Sequence, residues 1–137
     1  PIEKYQNIVN QLKANLDIEI VQVGVKGKAI LKNVINLVGL FDFRELACLI
    51  KYATFVIAPE GGIMHFTNAV GSRGLFIFSG IMDPRCTCYP ENINIQVVEN
   101  HNCYNTTCTE CPKHLRNFDE QIIIDKILLE KDKILSV

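Results

Sequence analysis

The sequence predicts an α/β fold, a parallel sheet flanked by helices, and three observations carry that prediction. Runs rich in β-branched and aromatic residues alternate with segments of helical periodicity. Residues 74–79 (GLFIFS) form a continuous apolar run, the pattern of a strand covered on both faces by crossover helices. Just upstream, residues 54–71 (TFVIAPEGGIMHFTNAVG) read as strand, glycine turn and helix, the unit of right-handed βαβ crossovers.

In chain order, Tyr5, Ile8, Val9, Leu12 and Leu16 fall at helical spacing, so residues 2–16 form an amphipathic helix with one buried stripe. Residues 18–24 (IEIVQVG) alternate and are β-branched, which predicts a strand. Lys26-Gly27-Lys28 is a loop leading to a helical turn through Leu31, and residues 33–38 are apolar enough for a second buried strand. Asp42 as N-cap with Glu45 three residues on makes a capping box, and apolar residues at 43, 46, 47 and 50 continue it as an amphipathic helix. Cys48 in this pattern reads as a core residue.

The central strand at 54–57 follows, then Pro59-Glu60-Gly61-Gly62, then a helix that Gly71 stops from the C′ position. After Asp83-Pro84 regularity breaks, leaving a Cys-rich loop over residues 85–117 with one short strand at 93–98. Asn117 with Glu120 repeats the capping-box pattern. Ile123, Ile124, Ile127, Leu128, Ile134 and Leu135 then give a last helix packing back on the sheet.

A chain of 137 residues with 48% hydrophobic and 21% charged residues is one globular domain's worth. Its net charge of -1 provides no broad basic field for nucleic acid or an anionic membrane, and Lys26, Lys28 and Lys32 read as a solvated edge. No apolar run approaches the roughly 20 residues of a membrane span, and nothing resembles a signal peptide. The sequence starts with Pro1, not Met, so a fragment or processed product is expected.

Of the six cysteines, Cys86, Cys88, Cys103, Cys108 and Cys111 cluster. Without a secretion signal such a cluster leans toward metal or free thiols. The pair Cys86-x-Cys88 with Cys103 and Cys108-x-x-Cys111, helped by His101 or His114, can furnish a tetrahedral structural zinc site. Free thiols or disulfides are the other reading.

The glycine turn is where residue types point to a ligand. The first backbone N–H groups of a helix lack internal partners and sum with the helix dipole into a small positive site suited to phosphate. Gly61 and Gly62 lack Cβ, so a ligand can approach the backbone. His65 lies one turn inside the helix, and Glu60 sits at the carboxyl end of the strand, where open α/β sheets bind ligands. A plain βα turn with a satisfied helix histidine is the alternative.

These words in this order resemble the C-terminal, donor-binding domain of glycosyltransferase family 9, the ADP-heptose:lipopolysaccharide heptosyltransferases. That family carries an acidic residue, Ser or Thr, Gly, Pro, Met and His, then a small-residue helix ending in Gly. Glu60, Gly61, Gly62, Ile63, Met64, His65 and residues 66–71 hold those places. Residues 39–47 (GLFDFRELA) resemble the loop and helix before the signature strand, and residues 79–84 (SGIMDP) the small-Gly-x-x-Asp-Pro turn after it. Residues 1–5 (PIEKY) look like the segment after that domain's first strand. The chain departs from the pattern at Glu60 for Asp, Gly61 for a hydroxyl residue and Ile63 for Pro.

The resemblance implies a Rossmann-like sheet matching the C-terminal half of a GT-B glycosyltransferase. Residues 1–137 would be a single nucleotide-sugar-binding domain, with the catalytic base and the glycolipid acceptor site in an N-terminal domain and no catalytic residue here. The donor would be ADP-heptose-like and the reaction inverting. The Gly61 and Gly62 amides and His65 would face the diphosphate, Glu60 the sugar hydroxyls, and Leu40 and Phe41 the base, unless Phe41 is a core aromatic. The resemblance requires no cofactor. It places the protein in the cytoplasm, peripheral to the inner membrane in its full-length form. The competing readings are another GT-B transferase or epimerase, and a zinc-stabilised binding module in which the cysteines are the function.

Overall fold

Parallel strand pairing organises both halves of the chain, as the alternation of apolar runs predicts. The computed structural model describes residues 2–81, 83–97 and 116–136. Chain contacts divide it into two units, one of Pro1–Leu46 with Asp119–Val137, the other of Ala47–Phe118. Among the described residues there is no helix long and apolar enough to cross a membrane.

In the first unit, α1 (Ile2–Asn15) buries Ile8, Val9 and Leu12 at the predicted spacing. It packs against α5 (Gln121–Leu129), which buries Ile123, Ile124 and Ile127, and α6 (Lys131–Leu135) adds Ile134. Lys4 Nζ meets Glu120 Oε2 at 2.6 Å and Asn7 Nδ2 donates to Glu120 Oε1 at 3.0 Å, tying the start of α5 to α1. Glu120 is thereby drawn away from a capping box with Asn117. Instead Asp119 Oδ1 accepts the Gln121 N–H at 2.9 Å, and the cap expected at Asn117 is not formed.

The strands of this unit are short. β1 (Val21–Gln22) and β2 (Ile35–Asn36) pair in parallel, with flanking bonds from Ile35 N–H to the Ile20 carbonyl and Gly39 N–H to the Gly24 carbonyl. Ile35 is 46% exposed, so the strand expected to be buried lies at the surface. The helical turn expected through Leu31 is also absent. The Gln22 side-chain amide accepts from Leu31 N–H and donates to the Ala29 carbonyl, each at 2.8 Å, and so takes the partners a helical turn would have used.

α2 (Phe43–Tyr52) begins in the predicted capping box: Asp42 Oδ1 accepts from the Arg44 and Glu45 N–H groups, and Glu45 Oε2 accepts from Asp42 N–H. Its buried residue is Ile50, whereas Cys48 is exposed, because position 48 falls off the stripe that contains 46, 47 and 50.

The second unit contains β3 (Val56–Pro59), α3 (Gly62–Ala69), β4 (Gly74–Phe78), α4 (Pro84–Thr87) and β5 (Ile93–Gln96). The sheet is parallel in the order β3-β4-β5, with Val56 opposite Gly74 and Leu75 opposite Ile93. All of β4 is buried, as its unbroken apolar run predicts. β3 starts two residues later than expected and tolerates Pro59 at its last position, where a missing N–H removes least from the ladder. α3 packs on β3 and β4, and Met64, Ala58, Phe76 and Phe78 close into one apolar cluster. Gly71 ends α3 as predicted, at φ 75°, with Ser72 N–H bonded to the Thr67 carbonyl and Gly71 N–H to that of Asn68. Helix resumes at Pro84, where a loop was expected, because Asp83 caps it through the Arg85 N–H and Pro84 presets the first turn.

Candidate donor site

The carboxyl ends of β3 and β4 and the first turn of α3 bring together four of the residues singled out from the sequence. The ladder carries one step past β3, with Glu60 N–H donating to the Ile77 carbonyl at 2.9 Å. Glu60 Oε1 accepts from both the backbone N–H and the hydroxyl of Ser79, at the end of the neighbouring strand. Its other oxygen, Oε2, is buried and has no hydrogen-bond partner among the described residues. A buried carboxylate oxygen left without a donor is energetically unfavourable, and a ligand hydroxyl would supply one.

Gly61 follows at φ 140° and ψ -156° as the N-cap of α3, a conformation that favours glycine, and no side chain caps the helix. Its carbonyl accepts from Met64 N–H and His65 N–H, which leaves the amides of Gly61, Gly62 and Ile63 without acceptors among the described residues. A Cβ built on either Gly61 or Gly62 would meet nothing within 4 Å, so the backbone of the turn is open on that side. The arrangement is an uncapped helix N-terminus with clear access, able to receive an anion.

His65 is exposed on the first turn, and its Nδ1 lies 2.8 Å from the Tyr89 hydroxyl with the two rings edge to face at 5.7 Å. Sequence spacing provides no hint of this pair, since 24 positions separate its members. Ser79 was legible only as part of the turn after β4, not as the partner of Glu60. Asp83 follows that turn and is buried; the hydrogen bonds from Arg85 hold its carboxyl below the usual range. Its Oδ1 and Oδ2 each accept from Arg85 Nε at 3.0 Å.

Leu40 and Phe41 belong to the first unit, where they are 65% and 38% exposed, so Phe41 is not a core aromatic. Of the cysteines proposed for zinc, Cys86 is exposed and Cys88 is half-buried against the Ala58, Met64, Phe76 and Phe78 cluster. Cys103, Cys108 and Cys111, with His101 and His114, lie outside the described residues. Among the described residues no three metal-ligating side chains come together.

The family model of glycosyltransferase family 9 (heptosyltransferase) matches residues 3–117, most of the chain, and the chain belongs to that family. Comparison with curated proteins and with solved structures finds no match. Family membership implies glycosyltransferase activity, with a nucleotide-sugar donor and an acceptor.

Proposed function

Starting from membership in glycosyltransferase family 9, we propose that this chain is the donor-binding part of its enzyme and holds a nucleoside diphosphate sugar at the start of α3. The observation that carries the reading is the uncapped, sterically open N-terminus of α3, with Glu60 Oε2 buried and unpartnered beside it. The Gly61 and Gly62 amides meet a phosphate oxygen, His65 donates to the same diphosphate, and Glu60 accepts from sugar hydroxyls. The sugar is heptose-like, carried on ADP, and the acceptor is a lipopolysaccharide or other surface glycan.

As the acceptor hydroxyl attacks the anomeric carbon, its proton passes to a base and the C–O bond to the diphosphate breaks. Negative charge then grows on the departing diphosphate. Donors fixed at that position stabilise the transition state more than the ground state, and losing one such donor typically lowers the rate about 100- to 1000-fold. Base and acceptor cleft come from an N-terminal domain, so residues 1–137 bind donor without turning it over.

Calorimetric titration of ADP into the wild type, Gly62→Val and His65→Ala tests the site, with circular dichroism confirming that each variant is folded. His65→Ala should weaken ADP by about 1.5 to 3 kcal/mol, the range for a hydrogen bond to a charged group. Gly62→Val should weaken it by blocking the approach to the amides. Equal affinity in all three would place the diphosphate elsewhere.

A further inference from the structure

We infer that Tyr89 is a positioning residue for His65, holding the imidazole in the tautomer that carries its proton on Nε2. The inference rests on the proposed diphosphate site and adds to it the residue that makes His65 a donor. A neutral imidazole has one N–H and one bare nitrogen, and which is which follows from the partner of the first. Here Nδ1 faces the Tyr89 hydroxyl at 2.8 Å. With Tyr89 O–H donating to a bare Nδ1, the proton resides on Nε2. A reversed bond, Nδ1–H donating to the phenol oxygen, would leave Nε2 as a lone pair, and the diphosphate oxygens, which only accept, would be repelled by it.

Two features favour the first arrangement. Among the described residues the Tyr89 hydroxyl has no acceptor other than His65 Nδ1, so this is the one protein group to which it can donate. Tyr89 is also anchored at both ends. Its carbonyl accepts from Asn92 N–H at 3.1 Å and Asn94 Nδ2 at 3.0 Å, and its ring packs on the Ala58, Met64, Phe76 and Phe78 cluster. The phenol is thus fixed by β5 and the core, and the exposed imidazole adapts to it.

The test compares the wild-type chain with Tyr89→Phe, which keeps the ring and removes the hydroxyl. Nitrogen-15 NMR of the three histidines, with the His65 signals assigned by their loss in His65→Ala, reads the tautomer directly. Wild type should show the Nε2–H form and Tyr89→Phe a mixture. ADP affinity should fall about 2- to 10-fold in Tyr89→Phe, the scale of one net hydrogen bond, and further in His65→Ala. An Nδ1–H tautomer in the wild type, or the same tautomer in both proteins, overturns the inference. The predicted tautomer change with equal ADP affinity in all three proteins would retain the Tyr89–His65 pairing and overturn the diphosphate site on which its role rests.

Discussion

The two units use strand and helix in opposite ways. In the unit of residues 47–118 the buried core is centred on a strand: Leu75, Phe76 and Phe78 are each 0% exposed. In the other, the buried side chains belong to α1, α5 and α6, while Val21 and Ile35 on the paired strands are 40% and 46% exposed. The difference teaches where a binding site can be held firmly. A strand locked on both faces fixes the positions of Ser79, Glu60 and the turn into α3, whereas a surface strand pair is only as fixed as the helices beside it.

The largest effect expected from this contrast is in β4. Phe76→Ala should destabilise the second unit by about 3 to 5 kcal/mol, the range for emptying a buried aromatic site. Ile35→Ala, at an exposed strand position, should stay under about 1 kcal/mol. Amide hydrogen exchange resolves both, and equal losses of protection would erase the distinction between the units.

A pH effect should single out the helical unit. Burial pushes the Tyr5 phenol on α1 from 10.0 up to about 12. The unfolded chain then loses this proton first, so the contribution is intact below pH 10 and is lost as pH rises toward 12. The total is on the order of 2 kcal/mol. Spectrophotometric titration of wild type against Tyr5→Phe should show one late-ionising tyrosine that the variant lacks. Ionisation of every tyrosine together near 10 would contradict this.

Smaller, and confined to the turn, is the difference between its two glycines. Gly61→Ala should destabilise by about 1 to 3 kcal/mol through backbone strain alone, since space for the methyl is free. Gly62→Ala, at an ordinary helical position, should change stability by about 0.5 kcal/mol or less. Thermal melts of the two variants decide it, and matching melting temperatures would remove the conformational reason for Gly61.

What the sequence made legible was local. The apolar run of β4, the Asp42–Glu45 capping box, the glycine turn and the Gly71 stop each depend on residues within a few positions of one another, and each is found in the structure. What it concealed depends on distant partners. Glu120 resembles a capping residue until Lys4 and Asn7, more than a hundred positions away, claim both its oxygens. Residues 28–31 look helical until the Gln22 side chain takes the groups of Ala29 and Leu31. The site divides along the same line. Glu60, Gly61, Gly62 and His65 are legible from their turn, whereas the roles of Ser79 and Tyr89 exist only once strands β3, β4 and β5 lie side by side.

The most direct measurement is a two-dimensional amide NMR titration of the isotope-labelled chain with ADP. If the diphosphate binds at the start of α3, the amides of Gly61, Gly62 and Ile63 should move first and furthest, with His65 following. Saturable shifts centred elsewhere, with these three amides unmoved, would contradict it.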